Sequence, residues 1–197
     1  MSLGGLNTAL LEIDPRVGQA IVAGAFLAAG WLYNGWKNRQ DARRLRAERL
    51  RDVHRALYAE IGTTTANMVG AAALTQEADV LVQRMQEEPD FVPFIPQQHG
   101  DHMYDAIVAE IHILPRCTID PVVAYYSQIK TLGAFAEDMR GPAFAQMGQD
   151  RRIIMYRDYI AMKQQLFEFG KYATAMIKAY SDGGKQEADR LAAALRR

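Results

Sequence analysis

The chain has 197 residues, 49% of them hydrophobic, and a formal net charge of zero. This length suits one domain with its own core plus an accessory segment. The single cysteine, Cys117, excludes an intrachain disulfide and suits a reducing compartment. The charge is unevenly distributed: eight basic and three acidic residues lie between Lys37 and Arg55, whereas the chain from Ala56 onward has 14 basic and 18 acidic residues.

An uncharged apolar segment lies near the amino end, with the sequence VGQAIVAGAFLAAGWLYNGW from Val17 to Trp36. A helix of this length extends about 30 Å, which is the thickness of the hydrocarbon core of a bilayer. The polar residues Gln19 and Asn34 lie near its two ends. The segment therefore predicts a transmembrane helix over residues 17–36.

Two other interpretations of this segment stay open at the level of sequence. A cleaved signal peptide normally has positive charge before a shorter apolar run, whereas here Glu12 and Asp14 come before the run and the cations follow it. A helix buried in a soluble domain is compatible with the modest hydrophobicity of Ala and Gly, although such a helix usually has a polar stripe.

The residues at the carboxyl end of this segment are typical of a membrane interface. Amphipathic aromatic rings prefer the headgroup level, so the predicted interface anchors are Trp31, Tyr33 and Trp36. The basic residues that follow are predicted to contact the headgroups of an anionic lipid bilayer: Lys37, Arg39, Arg43, Arg44 and Arg46. The alternative for these arginines is a helix that follows the phosphates of nucleic acid.

The distribution of charge also predicts an orientation. Lys and Arg are retained on the cytoplasmic side of a membrane. Residues 1–16 are therefore expected to form a short extracytoplasmic tail, and everything after Trp36 is expected to lie in the cytoplasm, beside a bacterial inner membrane.

Small residues recur every four positions within the predicted span, at Ala20, Gly24 and Ala28. This spacing places them on one face of a helix, where the backbones of two helices can approach closely. The pattern predicts helix–helix packing in the membrane and hence a homo-oligomer.

The fold class predicted for the chain is all-α, with the N-terminal transmembrane helix continuing into an antiparallel helical bundle. Apolar residues at helical spacing predict one long helix through the basic juxtamembrane and cytoplasmic segment 37–88, with flexing at Gly62 and Gly70. Three prolines between Pro89 and Pro96 then end this helix.

The remainder of the bundle is predicted within residues 101–182. One helix is expected to begin at Asp101 as its N-cap and to reach Ile113. The next is expected to begin with Asp120 as the N-cap and Pro121 as the first helical residue.

The last long helix is expected to run from about Asp150 to Tyr180. Gly183 and Gly184 should stop it, and residues 183–197 then form a charged tail. The pattern of apolar residues favours a strand in no segment.

The sequence has no recognisable catalytic constellation. The cluster with the residue types of a metal site is His99, His102 and His112, with Cys117 nearby. Zinc requires three or four ligands that converge tetrahedrally, and Pro115 interrupts the chain before the thiol, so a His-rich turn and helix start is favoured. The sequence therefore predicts a protein that is not an enzyme and has no cofactor and no metal.

Two stretches carry a resemblance to a known group of proteins. The Arg-rich helix from Arg43 leads into YAEI (Tyr58 to Ile61), and MYDAIVAEIHILPRCTIDPVVAYYSQIKTL extends from Met103 to Leu132. Together with the span, they resemble small uncharacterised single-pass bacterial membrane proteins, some of them in prophage regions. The resemblance implies a cytoplasmic helical domain but carries over no activity and no functional residue.

These features together predict an interaction or scaffold protein that is anchored in the inner membrane. Its expected partners are the anionic bilayer, an unidentified protein of a larger bacterial or phage-related assembly, and further copies of the chain. Two alternatives remain: a membrane-perturbing lysis or defence protein acting through oligomerised spans, and a nucleic-acid tether using the Arg-rich helix.

Overall fold

The structure is a computed structural model that describes residues 15–68, 70–97 and 102–195. The described ranges contain helices and no strand, which confirms the all-α prediction. The contacts within the chain define two compact units, Met1–Glu48 and Arg49–Arg197. The elements are α1 (Pro15–Asn67), α2 (Ala71–Glu87), α3 (His102–Ile107), a 3-10 helix (Val108–Ile113), α4 (Arg116–Arg140), α5 (Pro142–Gln146) and α6 (Gln149–Leu195).

In the first unit, the described residues belong to a single helix. This helix, α1, continues without a break from the apolar run into the Arg-rich run after Trp36. Ala and Leu are frequent before this point and Arg, Ala, Leu and Glu after it, and all of these residues have high helix propensity.

The second unit has one contiguous core, to which α1, α2, α4 and α6 all contribute. Helix α6 has its most extensive interface with α4 and also packs against α2. Most of the core residues are large and apolar, and several are tyrosines whose rings are fully buried. Representative members of the core are Leu57, Ile61, Val82, Met85, Tyr125, Tyr126, Leu132, Phe144, Leu166 and Ile177.

The long helix predicted through residues 37–88 is two helices in the structure. The break lies at Gly70, which has an extended backbone (φ −55°, ψ 153°) at the N-cap of α2, whereas Gly62 lies inside α1 without a break. Glycine weakens a helix because it loses more backbone entropy than other residues do. Three β-branched threonines, Thr63 to Thr65, precede this break and also have low helix propensity.

The predicted start of α4 at Asp120 and Pro121 is wrong. The helix begins at Arg116, because the carbonyl of Pro115 accepts hydrogen bonds from the Thr118 amide (2.9 Å) and the Thr118 hydroxyl (3.0 Å). These bonds form the first turn five residues earlier than predicted. Pro121 lies inside the helix and is buried, and because proline has no amide hydrogen it donates no hydrogen bond to the carbonyl of Cys117 four residues earlier.

The predictions for the helical segment that ends at Ile113 and for the break at Gly183-Gly184 agree more closely with the structure. The segment up to Ile113 is helical, but its second half is a 3-10 helix, and the predicted N-cap at Asp101 lies outside the described residues. The break predicted at Gly183-Gly184 is confirmed: Gly184 has φ 66° and ψ −157°, a conformation that glycine adopts readily because it has no Cβ. A second helical segment then continues to Leu195.

Candidate membrane-anchoring segment

The large apolar side chains in the first part of α1 are exposed. Phe26 and Leu27 are each 76% exposed, and Trp31 is 78% exposed. The helix is long and apolar enough to cross a membrane. Large apolar side chains in this number are rarely left in contact with water, which makes the segment a candidate membrane span.

The predicted interface anchors and lipid contacts follow one another along α1. The rings of Tyr33 and Trp36 lie 6.4 Å apart, centroid to centroid, and both side chains are exposed. Arg39 donates from Nε to the carbonyl of Gly35 (2.9 Å), so its charge is held close to the end of the apolar run. The other predicted lipid contacts are also exposed: Lys37, Arg43, Arg44 and Arg46.

The predicted packing face is likewise uncovered. Ala20, Gly24 and Ala28 are all exposed, and a methyl group added at Gly24 would meet no atom within 4 Å. The space beside these residues is therefore free for a second helix. Their role in self-association stays a prediction.

The residues considered for metal binding are not brought together in the described part of the chain. No group of three or more His, Cys, Asp or Glu side chains there is arranged to hold a metal ion. His112 is exposed, whereas His99 and the side chain of His102 lie outside the described residues. Burial and then the nearby Asp189 carboxylate raise the pKa of Cys117, which lowers the thiolate fraction that nucleophilic chemistry needs.

The second unit contains a polar cluster that the sequence did not predict. The carboxylate of Glu60 on α1 accepts hydrogen bonds from the amides of Met103 (2.8 Å) and Tyr104 (3.3 Å), in the first turn of α3. It also accepts one from the Tyr126 hydroxyl (2.5 Å). A carboxylate at the amino end of a helix satisfies amides that have no partner within the helix. A hint in the sequence was the position of Glu60 directly before the core residue Ile61.

A second buried polar contact involves His54, which is 4% exposed. Its Nε2 lies 3.1 Å from the hydroxyl oxygen of Thr118. Because the hydrogen of that hydroxyl is donated to the Pro115 carbonyl, Nε2 carries the hydrogen in the His54 contact. The ring of Tyr180 meets the imidazole edge-on at 5.4 Å. These surroundings suit a neutral imidazole, and burial lowers the pKa of His54 from 6.5 to about 4.

Because His54 is buried in its neutral form, the second unit is expected to lose stability in mild acid. Because the pKa of His54 is lower in the folded chain than in the unfolded one, the unfolded state binds the extra proton between pH 6.5 and 4. Stability is therefore complete above pH 6.5 and falls as the pH drops through this window. Between pH 7 and pH 5, His54 is expected to lower the free energy of unfolding by about 2 kcal/mol.

Urea denaturation of the detergent-solubilised chain, followed by near-ultraviolet circular dichroism of tyrosine, measures this effect. Eight of the nine tyrosines belong to the second unit, so the signal reports that unit. The difference between pH 7 and pH 5 should shrink in His54→Gln and persist in His112→Gln, whose histidine is exposed. Equal pH dependence in wild type and His54→Gln would contradict the assignment.

Comparison of the chain with protein-family models, with curated proteins and with solved structures finds no match.

Proposed function

We propose that the chain is a single-pass membrane protein that presents a helical bundle to the bacterial cytoplasm as an interaction or scaffold module. Its span is residues 17–36, its amino terminus is outside, and its carboxyl terminus is in the cytoplasm. It acts without catalysing a reaction, in contact with anionic lipid and within a larger bacterial or phage-related assembly. Copies of the chain associate through the face that contains Ala20, Gly24 and Ala28.

The observation that carries this proposal is the exposure of the apolar segment. Phe26 and Leu27 are the most exposed large apolar residues of α1 apart from Trp31. They lie in the middle of a segment that is long enough to cross a bilayer. A core helix of a soluble protein would bury these side chains, so lipid is the environment that best accounts for them.

The cations after the span do not all have the same role in this proposal. A helix rises 1.5 Å per residue, so Lys37 and Arg39 lie within about 5 Å of Trp36 along the axis, whereas Arg43 and Arg46 lie about 10–15 Å away. The Debye length at physiological ionic strength is about 8 Å. The first two cations therefore contact headgroups directly, and the later ones act through the length of their side chains.

The contacts between α4 and α6 support the antiparallel bundle. Tyr125 of α4 lies against Gly170 of α6, and the side chain of Gln128 donates to the carbonyl of Met162 (3.2 Å). A later position on α4 thus meets an earlier position on α6, which is the order expected of antiparallel neighbours.

The orientation can be tested with introduced cysteines, because the chain has a single native thiol. In a Cys117→Ser background, Ser2→Cys is expected to react with a membrane-impermeant maleimide in intact spheroplasts. Ala47→Cys, at an exposed position after the cations, is expected to react only after permeabilisation. The reason is that Lys and Arg hold their flank of a span in the cytoplasm.

Labelling both variants after detergent lysis controls for intrinsic reactivity. Labelling of Ala47→Cys in sealed spheroplasts, or protection of Ser2→Cys, would reverse the proposed orientation. Recovery of the wild-type chain entirely in the soluble fraction would overturn the anchor itself.

A further inference from the structure

The carboxyl-terminal segment 185–195, after Gly184, lies beside the start of α4. Two of its residues, Asp189 and Ala192, help to form a groove of about 360 Å³. Glu187 and Leu191 border a second open groove of about 440 Å³, whose other lining residues lie on α6 before Gly184. The segment thus borders two open grooves. The first groove is lined on the other elements by Arg116, Cys117, Asp120, Phe169, Tyr172 and Met176, among others.

This segment buries few of its described side chains. Ala188 is fully buried, and Leu191 and Ala192 are half-buried, while most of its other described side chains are exposed. Ala188 is not a member of the contiguous core of the second unit. An ion pair within the segment joins Arg190 and Glu187 (3.2 Å). Detaching the segment from the rest of the second unit therefore exposes little buried side-chain surface.

The connection between this segment and the preceding part of α6 is suited to detachment of the segment. Gly184 interrupts the helix with φ 66° and ψ −157°, and a change at this one residue can reorient everything after it. Elements with few buried apolar contacts open with much smaller free energies than the whole domain. A glycine that absorbs the change in backbone angles is a common form of hinge.

We propose that residues 185–195 are a detachable strap that closes one wall of the groove at Cys117 and opens about Gly184 while the rest of the second unit stays folded. Opening exposes the apolar wall of that groove, including Phe169 and Met176, to solvent or to a binding partner. The strap belongs entirely to the second unit, so the inference stands independently of the membrane anchor.

Cys117 is a built-in reporter of this movement. It is the single thiol of the chain, it is half-buried, and it shares the groove with Asp189 and Ala192 of the strap. Burial first and Asp189 second raise its pKa, and these two effects outweigh the opposite effect of Lys185, the other charged strap residue that acts on the thiol. An open strap should therefore increase both the access of a reagent to the thiol and the fraction of thiolate.

The test measures the rate at which N-ethylmaleimide alkylates Cys117 in the purified full-length chain in detergent micelles, as a function of pH. Ala188→Glu puts a carboxylate into a fully buried position and should open the strap. We expect the limiting rate at high pH to rise at least tenfold. Ala193→Glu is the matched control, because it makes the same change at an exposed position of the same segment and should leave the rate unchanged.

A third variant separates the access of the reagent to Cys117 from the effect of the Asp189 charge on the thiol. Asp189→Asn removes the charge from the groove while Ala188 stays buried, so it should lower the apparent pKa of the thiol without raising the limiting rate.

Tyrosine circular dichroism checks that each variant keeps the fold of the second unit. An unchanged limiting rate in Ala188→Glu, an equal rise in Ala193→Glu, or unfolding of the whole second unit by Ala188→Glu would each overturn the strap. Failure of the anchor would instead appear in membrane fractionation and leave these rates untouched.

Discussion

Replacing both Phe26 and Leu27 with arginine is expected to release the protein from the membrane into the soluble fraction. The two residues lie in the middle of the segment 17–36, where an arginine costs about 2.5–3.5 kcal/mol of insertion free energy. Both side chains are 76% exposed, so the substitutions disrupt no packing within the chain. Alkaline carbonate extraction of cell membranes measures the change: wild type stays in the pellet, and the double variant moves to the supernatant.

A second measurement uses intrinsic fluorescence. Trp31 and Trp36 are the two tryptophans of the chain, and both lie in this segment. In wild type reconstituted into vesicles, brominated lipids should quench their emission. In the double variant the quenching should largely disappear.

The control places two arginines on exposed apolar residues of the second unit, Val80 and Ile154, which are 64% and 49% exposed. This variant gains the same charge and should stay in the membrane pellet. A release equal to that of the Phe26→Arg/Leu27→Arg chain would mean that added charge, and not loss of the span, is responsible. Retention of the Phe26→Arg/Leu27→Arg chain in the pellet would contradict the anchor.

Gly170→Ala is expected to lower the free energy of unfolding of the second unit by about 2 kcal/mol, because overfilling a close helix crossing costs more than the higher helix propensity of alanine regains. A Cβ at this position would lie 2.3 Å from the hydroxyl oxygen of Thr65 on α1 and 3.1 Å from Cε2 of Tyr125 on α4. Three helices thus converge on a site that only a glycine fits without a shift. Urea denaturation followed by tyrosine circular dichroism measures the loss.

Gly133→Ala is the matched control. This glycine also lies inside a helix, α4, but an added Cβ would meet nothing within 4 Å. Alanine there should stabilise the unit by about 0.5–1 kcal/mol through its higher helix propensity. Adding Thr65→Ala to Gly170→Ala should restore part of the lost stability, since it removes the nearer of the two clashing groups. If Gly170→Ala behaves like Gly133→Ala, the helices do not approach each other as closely as described.

Several features of this protein could be read from local sequence alone. The helical character follows from the spacing of apolar residues, and the break at Gly184 follows from the backbone freedom of glycine. The break at Gly70 was predicted only as flexing within one long helix. The candidate anchor, residues 17–36, is equally local, since it depends on the length and composition of one continuous segment. The start of α4 was missed although its cause is also local: Thr118 reaches back three residues to Pro115, and the Asp-Pro pair was a stronger but misleading signal.

The polar contacts of the second unit were decided by tertiary structure. Glu60 meets residues 43 to 66 positions away in the chain, and His54 meets Thr118 across 64 positions. The periodicity of a sequence identifies the apolar face of each helix, but it does not identify which helix covers that face or at what height. The close crossing at Gly170 and the groove that Cys117 shares with Asp189 and Ala192 depend on that pairing, because each is formed by residues that are distant in the sequence.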